Sequence, residues 1–119
     1  MTVDLYDLED VYVGDSGPVL EISPVDFDLY SVRPLTGYDA YVRMWYVGAT
    51  TTHVVWPCIV DTVNNLITYE PRGVEYPSVG TVHIQFTLIQ RDWSATAIGY
   101  GFIETSSNLL RRRVLARPA

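Results

Sequence analysis

The chain has no lysine. All eight of its basic residues are arginine, against fourteen acids, for a net charge of −6. It has a single cysteine, Cys58, which excludes an internal disulfide, so the fold must stand on packing, as suits synthesis in a reducing compartment. No apolar run approaches the roughly 20 residues that a membrane-spanning helix needs. The opening "MTVDLYDLEDVYV" is acidic and lacks the basic, apolar and small-residue regions of a signal peptide, so no cleaved leader is expected. Two classes of ligand site are also missing. There is no glycine-rich phosphate loop or dinucleotide fingerprint, and His53, His83 and Cys58 do not have metal-ligand spacing. Cofactor and metal are therefore expected to be none.

What is present favours strands. Nine tyrosines, three tryptophans and many Val, Ile and Thr residues suit a pleated, half-buried surface. At 119 residues the chain fits one domain and can bury roughly two thirds of the surface its unfolded form exposes. "YDAYVRMWYV" (residues 38–47) puts Ala40, Val42 and Met44 on one face and Tyr41, Arg43 and Trp45 on the other. "TVHIQFTLIQ" (81–90) alternates Val82, Ile84, Phe86 and Leu88 against His83, Gln85, Thr87 and Ile89. "VLEIS" and "VDFDLYSV" read as one strand interrupted at Pro24, an edge or bulge signal. "HVVWPCIVD" reads as one strand with Pro57 at an edge or bulge. "TVNNL" reads as a hairpin turn leading into "LITYEP", because Asn tolerates a left-handed backbone. "WSATAIGYGFIET" reads as a last strand or pair. Only "SNLLRRRVLA" has any helical pattern, and it is short for an isolated helix. Short strands with turns every 8–12 residues predict an antiparallel β-sandwich.

Charge divides the chain at its ends. Residues 1–28 hold eight acids and no base, and "RRRVLARPA" holds four arginines and no acid. The expected organisation is an acidic arm at 1–13, a sandwich at 14–104 and a basic arm at 105–119. Arg111, Arg112, Arg113 and Arg117, interleaved with Leu109 and Leu110, are the candidate partner-binding residues. Their readings are a solvated tail, an arm docked on an acidic protein surface such as a neighbouring copy's N-terminal face, or a nucleic-acid contact. The acidic body disfavours the last.

"GDSGP" (14–18) has the look of a serine-protease nucleophile loop. A nucleophilic serine needs a base and an orienting partner. Here Ser16 precedes both histidines, in a chain about half the length of such an enzyme, so the reading is a turn before a strand. Asp26 and Asp28 share one strand side, which a solvated face explains. No catalytic residues are expected, and the protein is read as non-enzymatic.

The order of motifs carries a resemblance. "GDSGPVLEI", "RPLTGYDAYVRMWY", "IVDTVNNLITYEP" and "SVGTVHIQFTLIQRDWSATAIG" together resemble the N-terminal immunoglobulin-like domain of phage baseplate upper proteins. Gly14, Asp15 and Ser16 match the family's first turn, and Pro34, Leu35, Thr36 and Gly37 its second. Leu66 to Tyr69 match its third element and Gly80 to Phe86 its fourth. The likeness spans roughly residues 12–103. Val82 stands where the family often has Tyr, and the family's long second region has no counterpart here.

The resemblance implies an immunoglobulin-like sandwich serving as a virion structural module; the extended N- and C-terminal arms, read from the charge at the two ends, are not part of the family's pattern. Its partners would be other phage virion proteins of the tail, baseplate or capsid, and further copies of itself, with no membrane. Two alternatives stay open: a capsid decoration or cement protein, and a carbohydrate-binding module using Tyr41, Trp45 and Tyr46.

Overall fold

A computed structural model describes residues 5–23, 35, 37–91, 102–107 and 109–118. Among these residues every regular element is a strand. They are β1 (Leu5–Asp7), β2 (Val11–Tyr12), β3 (Leu20–Ile22), β4 (Tyr38–Tyr46), β5 (Val54–Pro57), β6 (Ile59–Asp61), β7 (Leu66–Tyr69), β8 (Gly80–Arg91), β9 (Phe102–Ser106) and β10 (Leu109–Leu115). The larger sheet runs β1-β10-β8-β4-β5, with β2 also on β10 and β9 also on β8. The smaller sheet runs β3-β7-β6. The fold is all-β and sandwich-like, with one apolar core shared by the two sheets.

The two strands with the cleanest alternation form the centre. β4 and β8 pair antiparallel over nine residues, from Tyr38↔Gln90 to Tyr46↔Val82. Because side chains alternate strictly, the register puts Ala40, Val42 and Met44 beside Leu88, Phe86 and Ile84 on the inner face, all buried. The smaller sheet contributes Leu20, Ile22, Ile67 and Tyr69 to the same cluster.

The β6–β7 hairpin follows its sequence signal. Asn65 adopts φ 57°, and the Asp61 carboxylate accepts hydrogen bonds from the amides of Val63 and Asn64, each at 3.0 Å. Asp61 is held below the usual carboxylate range, chiefly by the Asn64 amide and side chain.

Three expectations are corrected. "HVVWPCIVD" is two strands in different sheets: the Cys58 amide still donates to the Ala40 carbonyl of β4 at 2.9 Å, and the chain then crosses to the smaller sheet, with Pro57 lacking an amide at the edge. The segment with the helical pattern is strand β10, in which Arg112 and Val114 turn inward at period two. The residues read as N- and C-terminal arms are not separate from the sandwich, since β1 and β2 pair with β10 inside the larger sheet. The expected strand over "VDFDLYSV", with Asp26 and Asp28, and the part of the last expected strand before Phe102 lie outside the described residues.

β9 and β10 are one strand line with a bulge. Thr87 pairs with Ser106 and Ile84 with Leu110, so β8 advances by one residue fewer than its partner between these points. Ser107 fills the break. Its amide donates to the Phe86 carbonyl at 2.8 Å, and its hydroxyl accepts from the Phe86 amide at 2.9 Å.

Candidate interaction site

The six residues singled out at the C-terminus all lie on or just after β10. The pleat of the strand sorts them into different roles. Arg111 and Arg113 face outward and pair with acids of the chain's own N-terminal segment. Arg111 Nε donates to Asp7 at 2.7 Å, and Arg113 makes a two-pronged contact with Asp10 at 3.1 and 2.7 Å. Arg117 donates from Nε to the Val13 carbonyl at 2.8 Å and pairs with Asp15 through a terminal nitrogen. The acidic surface that these arginines meet is therefore residues 7–15 of the same chain.

The register explains the match. β1 runs parallel to β10 with Asp7 opposite Arg111, and β2 resumes with Val11 opposite Val114. The Leu8 amide donates to the Arg111 carbonyl at 2.7 Å and the Val13 amide to the Leu115 carbonyl at 2.9 Å. Leu110 packs against the core from the side and Leu109 is half-buried.

Arg112 is different. It is 2% exposed. One terminal nitrogen donates to the Tyr76 hydroxyl at 2.8 Å, and the guanidinium carbon lies 5.5 Å from that ring's centre. Among the described residues its Nε has no hydrogen-bond partner. Next to it, Glu75 is fully buried. Its carboxylate accepts from the Tyr69 hydroxyl and from the amides of Arg72 and Gly73, at 2.9–3.0 Å for the amides. Burial pushes Glu75 up, but the Tyr69 hydroxyl and these amides outweigh it and leave it below its ordinary range. The Tyr69 hydroxyl is pushed well up, by burial first and then by Glu75. These groups lock the 72–76 loop against the C-terminal strand.

Ser16 is exposed in its turn, and His53 uses Nε2 on the Glu75 carbonyl at 2.8 Å. His83 sits edge-on to Trp45 at 5.6 Å. Burial, and then the Arg111 charge, hold it below its ordinary value. The trio proposed for sugar stacking is half-buried, and Trp45 and Tyr46 are engaged. Arg43 lies over Trp45 at 5.5 Å, and the Tyr46 hydroxyl donates to the Ser78 carbonyl at 2.7 Å. Cys58 is a half-buried thiol that burial pushes up to about 12. Among the described residues no cluster of His, Cys, Asp or Glu has metal-site geometry.

Sequence reasoning missed a second surface. On the side opposite the terminal ladder, edge strands β5 and β6 expose Val55 (57%) and Ile59 (66%), and the following turn exposes Val63 (90%). Pro57 was the available signal, since it marked the edge, but nothing marked the outward side of the apolar residues beside it.

No match is found. Neither protein-family models, curated proteins nor solved structures give one.

The terminal ladder has a defined acid response. The hydrogen bond from Arg111 is the main cause holding Asp7 below its ordinary value. A carboxyl lowered on folding stabilises the folded state above its unfolded value, and that contribution is lost as pH falls through the folded value. Protection of the Leu8 amide from hydrogen exchange is expected to hold at neutral pH and to fall below about pH 4. Added salt should lower it at neutral pH as well, because the pairs are exposed. An Asp7→Asn chain that keeps the wild-type pH profile would show the ladder to be inert.

Proposed function

We propose that the chain is a non-enzymatic structural protein of a bacteriophage virion, an immunoglobulin-like block of tail or baseplate type. The strand order supports the immunoglobulin-like reading. β3-β7-β6 corresponds to the B-E-D strands of that fold, and β10-β8-β4-β5 to G-F-C-C′. The motifs behind the resemblance fall at matching places. Gly14–Ser16 precede β3, Gly37 precedes β4, Leu66–Tyr69 is β7, and Gly80–Phe86 opens β8.

The observation that carries the assembly role is the asymmetry of the two sheet edges. One edge of the larger sheet is closed by the terminal ladder. At the other, β5 pairs with β4 and has no further strand beside it among the described residues, and Val55, Ile59 and Val63 are exposed there. Natural edge strands are normally blunted by charges or covered, and an open apolar one offers a contact surface. In this reading the β5–β6 edge docks on a neighbouring virion protein.

Quantification and gold-labelling of the protein in purified particles test this. A few copies at the tail end are expected, and a Val55→Glu/Ile59→Glu/Val63→Glu chain should fold yet fail to enter particles. Hundreds of copies on the head would replace the tail reading with a decoration protein. Absence from particles would end both.

A further inference from the structure

The N-terminal strand has a sharp boundary. Up to Tyr12, its backbone pairing and its ion pairs go to β10. From Gly14 on, the chain is fixed to the body. The Gly14 amide donates to the Tyr76 carbonyl at 2.9 Å, and Asp15 is held by Arg117. Between the two lies a single tight turn, closed by the Asp15 amide donating to the Tyr12 carbonyl at 3.0 Å, with Gly14 at φ 85° in its third position. That is type II geometry, which favours glycine there.

We propose that the side of β10 covered by β1 and β2 accepts, in exchange, the N-terminal strand of a second copy of this chain, swapped about the Val13–Gly14 turn. The occupant follows from charge complementarity. Asp7 meets Arg111 and Asp10 meets Arg113, and an identical copy presents the same acids at the same spacing. The pairing is parallel and joins residues 104 positions apart, so no hairpin ties the strand to β10. Little holds it closed. Its outward ion pairs are exposed, and of its side chains with described burial only Val11 is buried, with Leu8 and Val13 half-buried against the core. Exchanging one identical element between copies keeps every contact and changes only the turn. Closure within one chain wins in dilute solution. Copies held side by side raise the effective concentration of the alternative. The inference deepens the assembly role proposed above.

Two charge-reversed chains test it in solution, without particles. One carries Asp7→Arg/Asp10→Arg and the other Arg111→Asp/Arg113→Asp. Each mismatches its own strand, and each matches the other reciprocally. Native mass spectrometry and light scattering of the concentrated mixture should show a 1:1 heterodimer as the main species, with no such dimer in either chain alone. A mixture that remains two monomers overturns the proposal, and leaves tail placement to the particle labelling.

If either chain fails to fold, Gly14→Val in the otherwise natural sequence decides. A Cβ there meets nothing nearer than Arg117 at 3.9 Å, so the change penalises only the left-handed turn. The dimer fraction should then rise at least several-fold over the natural chain, and an unchanged monomer overturns the proposal.

Discussion

Val42→Asp is expected to leave the chain unfolded at neutral pH. Val42 is fully buried at the centre of β4, between Phe86 on one neighbouring strand and Trp56 on the other. No basic residue shares its inward row. The new carboxyl must either ionise without a partner or take up a proton. Protonation at pH 7 of a group whose ordinary value is near 3.9 costs about 4 kcal/mol. Losing the buried valine adds roughly 1.5–3 kcal/mol. Together these approach or exceed the roughly 5–15 kcal/mol by which domains are stable. Far-UV circular dichroism should show no cooperative thermal transition. Val55→Asp, one strand over and facing outward, is the control and should melt like the natural chain. A cooperative, near-native transition in Val42→Asp would mean that the β4 register is wrong.

The inward faces of β4 and β8 were legible because their alternation is long. Period two over the nine residues of β4 and from Thr81 to Leu88 in β8 leaves little choice of inward face. The β6–β7 turn was legible for a local reason, since Asn65 occupies a left-handed conformation that asparagine tolerates. β10 was not legible, because its inward row includes an arginine. "LLRRRVL" does alternate, with Arg112 and Val114 inward, but a rule that places apolar residues inside reads three arginines as one charged run. β1 and β2 are three and two residues long, too short for any period to show.

The segregated charge at the two ends was visible in the sequence, and its destination was not. Parallel pairing between the two ends of the chain leaves no turn signal to announce it. From the sequence the C-terminal arginines could be a solvated tail or a docked arm, and nothing said which acids they meet. Those at positions 7, 10 and 15 lie in the same chain. Whether Asp7 and Asp10 can come from a neighbour is a question of the Val13–Gly14 turn, because their contacts with β10 are the same either way, while Asp15 lies beyond the turn and stays with Arg117 of its own chain.

The arginines should separate sharply on mutation. Arg111→Ala, Arg113→Ala and Arg117→Ala each remove one exposed pair and are expected to leave the denaturation midpoint almost unchanged. Arg112→Ala should cost about 3–5 kcal/mol. It empties the space of a long buried side chain and strands the Tyr76 hydroxyl without its donor, a penalty of about 1–3 kcal/mol by itself. The loss would come from breaking the pair, because a buried charge replaced together with its partner by apolar groups of similar volume is often neutral or stabilising. Arg112→Met/Tyr76→Phe should therefore recover most of the stability lost in Arg112→Ala, and Arg112→Met alone should fall between. Urea denaturation of the four chains, with unchanged slope, measures this directly. A double variant as unstable as Arg112→Ala would mean that the guanidinium itself holds the terminal strand in place. Recovery would mean that β10 needs only a filled, satisfied interior position, with the outward arginines free to meet either their own N-terminal acids or another copy's.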